Sequence, residues 1–197
     1  MMKRIGVLVS GGGTNLQALI DAQESGIIKN GKIVTVVANK SDAYALERAK
    51  NAGIDAHVIL KKDCGSAEAF DVALRDYMQS MQVDIVVLAG FLSILGKDFI
   101  DAYRDRIVNI HPSLIPSFCG DGFYGLKVHQ AALDYGVKVT GATVHLVNEI
   151  TDGGKILMQK AVYINEDDTA ETLQRRVMEE AEWVILPLAV EKLCSEE

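Results

Sequence analysis

Short runs of β-branched and other apolar residues recur through the first 110 residues, and this rhythm constrains the fold more than any other feature. The runs cover residues 5–9, 33–38, 57–60, 83–88 and 107–110. Segments with a helical period lie between the first four runs; in the clearest, Phe70, Leu74 and Tyr77 share one helix face. Strands that alternate with helices form right-handed crossovers and therefore pair in parallel. We expect an α/β fold with a mostly parallel, twisted sheet and helices on both faces.

The rhythm changes after residue 136. Residues 138–147 and 156–164 are two long strand-like runs with a short connection, which predicts an antiparallel pair added to the parallel sheet. A final helix is expected to begin at Asp168, because Glu171 three residues later completes a capping-box pattern. Pro187 is expected to kink this helix. Its predicted buried face consists of Leu173, Val177, Ala181, Val184 and Leu188.

The composition argues against several classes of protein. With 49% hydrophobic and 24% charged residues, the 197-residue chain can bury the core of one domain. Its net charge of −7 argues against a nucleic-acid-binding surface, which needs clustered Lys and Arg. Three widely spaced cysteines favour neither a disulfide framework nor a zinc site. The apolar run 5–9 is too short for a signal peptide and no stretch reaches membrane-spanning length, so we expect a cytoplasmic protein without a membrane partner.

A glycine-rich loop, residues 10–16, joins the first strand to the first helix. Backbone N–H groups and the positive end of the helix dipole favour an anion at such a junction, and the glycines allow close approach. The candidate phosphate contacts are Gly12, Gly13, Thr14 and Asn15. The loop lacks the Lys of a Walker A motif, and Leu16 replaces the third glycine of a dinucleotide loop, so ATP and NAD are disfavoured. A tight turn without a ligand is the alternative.

Two polar residues end the fifth apolar run. Asn109 and His111 are two residues apart and therefore leave the same face of a strand, and Pro112 ends that strand at the edge where open α/β sheets bind ligands. Asp152 lies in a Gly-rich turn between the last two strands. A carboxylate beside an imidazole raises its pKa and keeps it protonated as a general acid. The alternatives are a structural histidine and an ordinary Asx turn.

Several motifs together resemble the folate-dependent formyltransferase family. They are SGGGTNLQ at 10–17, LAGF at 88–91, NIHPSLIP at 109–116, His145, and DGG at 152–154. The first of these resembles the phosphate loop of the members that act on glycinamide ribonucleotide. The resemblance spans nearly the whole chain. It implies one formyltransferase domain over residues 1–197, with a phosphate-binding Rossmann-like half at 1–110 and a folate-side half with the last helix at 111–197.

The resemblance also implies an activity and its residues. The formyl group of the co-substrate 10-formyltetrahydrofolate would pass to the amine of glycinamide ribonucleotide in de novo purine synthesis, without a metal, in a monomer or homodimer. Asn109, His111 and Asp152 would be catalytic. Besides the loop residues 12–15, the implied substrate contacts are Gly90, Glu179 and Glu182. Besides Asn109, the implied folate contacts are Leu92, Ser93, Ile94, Leu95, Asn148, Glu149, Ile150 and Thr151.

The sequence departs from the family pattern near the folate. Ser93 and Ala67 stand where many relatives carry Arg, and Lys61 or Lys62 is a candidate replacement. Residues 117–127 form a longer Gly-rich segment that is expected to be a flap. For His145 a structural role is favoured. The rival functions are formyl transfer to a methionyl-tRNA, a nucleotide sugar or water, and a non-catalytic phosphate-binding module.

Overall fold

A single mixed sheet organises residues 2–196, the part of the chain that the computed structural model describes. The strands, in chain order, are β1 (Lys3–Val9), β2 (Gly31–Ala38), β3 (Asp55–Val58), β4 (Ile85–Leu88), β5 (Ile107–His111), β6 (Val139–Leu146) and β7 (Ile156–Tyr163). Their order across the sheet is β3-β2-β1-β4-β5-β6-β7. The first five are parallel, whereas β6 runs antiparallel to both β5 and β7. The predicted parallel sheet with an antiparallel extension is confirmed.

Helices connect the strands. They are α1 (Thr14–Glu24), α2 (Ala45–Asn51), α3 (Ala67–Ser80), α4 (Lys97–Ala102), α5 (Leu126–Tyr135), α6 (Ala170–Val177) and α7 (Trp183–Ser195), with a 3₁₀ turn at Lys61–Asp63 and a π-turn at Met178–Glu182. Along β1, Val7 and Val9 join one buried cluster and Leu8 joins the other. Because neighbouring strand residues face opposite sides of a sheet, each face has its own core. The prediction of helices on both faces is confirmed.

Several strand boundaries differ by one or two residues from the predicted ones, and two of these differences have a clear cause. β3 ends at Val58, before the apolar pair that was assigned to it, and Ile59 then packs into the core from the following loop. β4 begins at Ile85, because Val83 still belongs to the turn after α3 and its N–H donates to Met78. Apolar runs therefore marked burial more reliably than strand ends.

The start of the C-terminal helix was wrongly predicted. Its N-cap is Thr169, which exchanges hydrogen bonds with Thr172 in a capping box, whereas Asp168 pairs with Arg176 at 2.5 Å. Thr169 caps the helix because its hydroxyl accepts a hydrogen bond from the backbone N–H of Thr172, in the first turn.

The buried face of that helix was also only half right. Leu173, Val177 and Ala181 are buried, but Val184 is 38% exposed and Leu188 is 44% exposed. The π-turn adds a residue to one turn and rotates the rest of the helix, so that Ile185 and Ala189 face the core. Pro187 lies within α7, and the irregular turn of this helix is the π-turn at Met178–Glu182, upstream of the proline. The kink expected at Pro187 stays a prediction.

Candidate active site

Three polar side chains meet at the carboxyl end of β5. Asn109 and His111 lie on β5, paired with His145 and Thr143 of β6, and Asp152 projects from the β6–β7 turn with a φ of 55°. His111 Nδ1 is 3.5 Å from Asp152 Oδ2. His145 Nε2 is 3.5 Å from Asp152 Oδ1. The structure therefore brings the predicted trio together, although Asn109 and Asp152 are 43 positions apart in the chain.

His145 belongs to the same cluster. Its Nδ1 donates to the Leu146 carbonyl at 2.9 Å, so its Nε2 is free to accept from Asn109 Nδ2 at 3.1 Å. His145 thereby orients the Asn109 amide while it also faces Asp152. The sequence analysis favoured a structural role for this residue, and its contacts place it directly behind a predicted catalytic amide.

A loop covers the cluster in this structure. His111 Nε2 donates to the Phe118 carbonyl at 2.9 Å, and the Gly120 N–H donates to Asp152 Oδ2 at 2.8 Å. His111 is only 4% exposed. The backbone of the segment expected to be a flap thus occupies the hydrogen-bonding atoms of two predicted catalytic residues.

Burial dominates the protonation of His111. It lowers the pKa of the imidazole, and the hydrogen bond to Phe118 and the charge of Asp152 oppose that shift without reversing it. In this covered conformation the pKa of His111 is thus shifted downward, opposite to the direction predicted from a neighbouring carboxylate. Burial alone would raise the pKa of Asp152, but the neighbouring His145 and His111 side chains and the Gly120 N–H together hold it below its usual range.

The glycine loop turns sharply into α1. Gly13 has a φ of 70°, and α1 begins at Thr14. The Gly11 carbonyl accepts from the Ala45 N–H at 3.1 Å, and the Gly12 carbonyl accepts from Arg48 Nε at 2.8 Å. These two bonds fix the loop against α2. Arg48 adds a positive charge beside the loop that the sequence analysis missed.

Asn15 and Glu182 form a buried pair beneath the loop. Asn15 is 8% exposed and its Nδ2 donates to Glu182 Oε2 at 2.6 Å. The side chain expected to contact phosphate is thus bound to a carboxylate that is also an expected substrate contact. The π-turn that ends at Glu182 turns this acid inward. Glu179 lies one turn earlier and pairs with Arg175 at 2.8 Å on the surface.

The predicted folate segments present apolar side chains. Leu92 is 58% exposed, Ile94 is 77% exposed and Ile150 is 67% exposed, whereas Leu95 is buried. Gly90, with a φ of 74°, turns the chain out of β4 into the first of these segments. Loops held by a rigid sheet often carry binding residues, which makes these exposed side chains candidates for contact with a ligand.

Two further contacts hold these segments. The hydroxyl of Ser93 accepts from Asn39 Nδ2 at 2.8 Å. In the second segment, Asn148 Oδ1 accepts from the Ile150 N–H at 2.9 Å, and Glu149 pairs with Arg104 at 2.6 Å. Thr151 directly precedes Asp152 and so links the segment to the catalytic cluster.

The family model described as "Formyl transferase" matches residues 3–190. The chain belongs to the formyl transferase family. The predicted membership is confirmed, and the cluster on β5 and β6 is the candidate active site of this formyl transferase.

Individual relatives agree with the family. The phosphoribosylglycinamide formyltransferase of Haemophilus influenzae is 45% identical over 189 residues, which cover 96% of this chain and 86% of that protein. A bovine trifunctional purine biosynthetic protein, adenosine-3, is 43% identical over 98% of this chain, although the match spans only 18% of the bovine protein.

Solved structures show the same fold. Glycinamide ribonucleotide transformylase 1 of Symbiobacterium toebii superimposes with a TM-score of 0.92 at 44% identity, covering 98% of this chain and 88% of that one. Phosphoribosylglycinamide formyltransferase of Brucella melitensis gives 0.90 at 42% identity, covering 100% and 98%.

Residues 2–196 of this formyl transferase were searched for membrane-spanning helices and for metal-binding clusters. No helix there is long and apolar enough to cross a membrane. In the same range, no group of three or more His, Cys, Asp or Glu side chains is arranged to hold a metal ion.

His129 is a buried histidine that the sequence analysis did not single out. It lies on α5, is fully buried, and neither ring nitrogen has a partner among the described residues. Burial, with a smaller contribution from the nearby His111 charge, lowers its pKa to about 4. His129 is therefore a neutral core residue in this formyl transferase.

We expect Gly13→Val to destabilise the fold as well as weaken ribonucleotide binding. A Cβ at Gly13 would lie 2.6 Å from the Ala45 Cβ, and the positive φ of 70° adds backbone strain. Such strain and overpacking cost about 1–3 kcal/mol each. Melting curves check the result, and Gly12→Ala is the control because nothing lies within 4 Å of a Cβ there. Equal melting temperatures for the Gly13 variant and the wild type would contradict this placement of the loop.

Glu182 predicts a pH-dependent stability. Burial raises its pKa from 4.5 to about 7, although the Asn15 amide opposes the shift. A raised folded-state pKa contributes stability that is complete below the unfolded value and is lost as the pH rises through the folded one. The melting temperature of the wild type should therefore fall relative to Glu182→Gln between about pH 5 and about pH 8. A constant difference across that interval would contradict the buried, protonatable state.

Proposed function

We propose that this chain transfers the formyl group of 10-formyltetrahydrofolate to the amine of glycinamide ribonucleotide, giving formylglycinamide ribonucleotide and tetrahydrofolate. The observation that carries the proposal is the meeting of Asn109, His111 and Asp152 at one sheet edge. The family membership and the names of the relatives in Haemophilus and Symbiobacterium support it. In this proposal the reaction belongs to de novo purine synthesis.

The proposed chemistry begins with attack of the ribonucleotide amine on the formyl carbon. The formyl oxygen becomes an oxyanion, and the Asn109 amide and His111 Nε2–H donate hydrogen bonds to it. His111 Nε2 already donates to a carbonyl oxygen, that of Phe118, at 2.9 Å. The substrate oxygen would replace this loop carbonyl, so the loop must withdraw before catalysis. Preorganised donors of this kind stabilise the transition state because charge develops where they point.

Proton transfer completes the proposed reaction. The oxyanion collapses to a carbonyl and breaks the bond between the formyl carbon and the folate nitrogen. The attacking amine loses a proton and the leaving folate nitrogen gains one. Asp152 is placed to relay it, since it faces both His111 and His145 and its lowered pKa keeps it an anion at neutral pH. A developing oxyanion beside His111 favours its imidazolium form and offsets the effect of burial.

The proposed ribonucleotide site lies at the start of α1. The backbone N–H groups of residues 11–13 and the Arg48 guanidinium supply positive potential for the phosphate. Glu182 is the proposed partner of the ribose hydroxyls, and its bond to Asn15 would reorganise to meet them. A ribose fits a buried carboxylate because its hydroxyl groups can donate hydrogen bonds to the carboxylate oxygens.

The proposed folate site uses the exposed apolar side chains Leu92, Ile94 and Ile150 as walls for the flat pterin ring. Hydrophobic walls with a few backbone polar groups are typical of small-molecule sites.

The proposal further places the enzyme in the cytoplasm, as a monomer or homodimer with small-molecule partners. Its net charge of −7 supports the absence of a nucleic-acid partner. The division into halves at residues 1–110 and 111–197 stays a prediction.

An acceptor series tests the proposal. Loss of the formyl group from the folate is followed by absorbance with glycinamide ribonucleotide, with glycinamide alone, with methionyl-tRNA, and without an amine. We expect a rate only with the ribonucleotide, because the glycine loop and Glu182 hold its phosphate and ribose. Equal rates without an amine would indicate a hydrolase and would contradict the proposal.

A further inference from the structure

Asp71 is a buried acid outside the candidate active site. It lies on α3 between the core residues Phe70 and Leu74 and is 7% exposed. Its Oδ1 has no hydrogen-bonding partner among the described residues. Burial raises the pKa of this carboxyl, and the backbone N–H of Gly96 opposes the shift. A buried carboxyl of this kind is costly, so its position calls for a partner that compensates.

That partner is the start of α4. Gly96 is the N-cap of α4, and a Cβ at Gly96 would collide with Asp71 Oδ2. The backbone of Gly96 has a φ of −81°, which any residue adopts, so the glycine is required by the space that the carboxylate occupies. The first N–H groups of a helix lack intrahelical partners, and a carboxyl oxygen placed there satisfies them.

Gly96 directly follows the exposed loop that carries Leu92 and Ile94. That loop is held at its other side by the Leu92 N–H, which donates to Ser10 Oγ at 2.8 Å, and by the bond between Asn39 and Ser93. Asp71 provides the third attachment, at the end of the loop. With three attachments the exposed side chains of the loop keep fixed directions.

The far end of α4 reaches the second predicted folate segment. Arg104, two residues after α4 ends, pairs with Glu149 at 2.6 Å and also with Asp101 of α4. Phe91, Leu95 and Phe99 pack in one buried cluster, and Val147 packs against it. A shift at the start of α4 would therefore move both loops that carry the exposed apolar side chains.

We propose that Asp71 is a positioning residue for the folate site: its carboxylate fixes Gly96 and the start of α4, and thereby holds Leu92 and Ile94 in place for the pterin. The inference rests on the proposed function, because it takes these side chains as folate contacts. Asp71 acts through the backbone and touches no substrate.

The test compares Michaelis constants in matched variants. In Asp71→Ala the KM for 10-formyltetrahydrofolate should rise about tenfold, the scale of one lost buried hydrogen bond to a charged group. The KM for glycinamide ribonucleotide should stay the same, since the proposed phosphate-binding residues Gly11 and Gly12 are held by α2 and not by α4. Asp71→Asn keeps an acceptor oxygen of the same shape and should restore most of the folate affinity. Asp76→Ala, an exposed acid on the same helix, is the control.

Each result decides the inference. A rise in both Michaelis constants, or an unchanged folate KM in Asp71→Ala, would overturn it, as would failure of Asp71→Asn to restore affinity. If the wild type transfers no formyl group, the proposed function fails, and calorimetric titration with 10-formyltetrahydrofolate then decides the inference separately. About tenfold weaker binding by Asp71→Ala supports it. Equal binding by both proteins, or no binding by the wild type, contradicts it.

Discussion

Replacing His111 with alanine is expected to lower turnover by about 100-fold or more, the usual cost of removing a donor that stabilises an oxyanion. Asn109→Ala should have a similar effect, because its amide is the second donor on the same strand face. Asn109 is at the centre of β5 and His111 is its last residue, and neither belongs to a hydrophobic core cluster, so the fold should persist. Steady-state turnover, measured beside circular dichroism and a melting curve, checks the expectation.

His57→Ala is the matched control for this experiment. His57 lies on β3, is exposed, and stacks on Tyr77 with ring centroids 4.4 Å apart. Its loss should leave turnover unchanged. A folded His111→Ala protein with nearly normal turnover would contradict the assignment of His111 to the oxyanion.

Asp152→Asn is expected to lower turnover steeply, by about 100-fold, because it removes the anion that relays the proton while keeping an acceptor for the Gly120 N–H. It should also lower the pKa of His111 further. Burial already lowers that pKa, and the Asp152 charge opposes the shift, so removal of the charge leaves burial less opposed. Less imidazolium then remains at any given pH, and the fall in rate on the alkaline side should begin at a lower pH than in the wild type.

NMR titration of His111 in the wild type and in Asp152→Asn measures this shift directly, alongside the pH profile of the rate. His57, far from Asp152 on β3, provides the reference signal in the same spectra. An identical His111 pKa in the two proteins would mean that Asp152 does not tune the imidazole, and its role would then be confined to the proton relay or the turn.

Much of this fold was predictable because its signals are local. Each apolar run marked a strand, and the change of rhythm after residue 136 marked the switch to antiparallel pairing. The two-residue spacing of Asn109 and His111 placed both on one strand face, as the pleat requires. The π-turn at Met178–Glu182 was not predictable in this way, since an extra residue in one turn leaves no composition signal.

The contacts that decide the chemistry are long-range and were harder to read. Nothing local shows that His145 stands between Asn109 and Asp152, or that Asn15 binds Glu182. The direction of the shift in the His111 pKa depends on the burial of this side chain beneath residues 117–120. The sequence of that loop does not show that the Phe118 carbonyl reaches the imidazole. No role was predicted for Asp71 from the sequence, because its partner, Gly96, lies on another element.

The most direct test of the account follows the formyl group itself. 10-Formyltetrahydrofolate with an isotopic label in the formyl carbon is incubated with glycinamide ribonucleotide and the enzyme, and the products are separated and analysed by mass spectrometry. We expect the label on the amine of the ribonucleotide with the wild type and with His57→Ala, and almost none with His111→Ala in the same time. Label released as formate, or transferred equally well by His111→Ala, would contradict it.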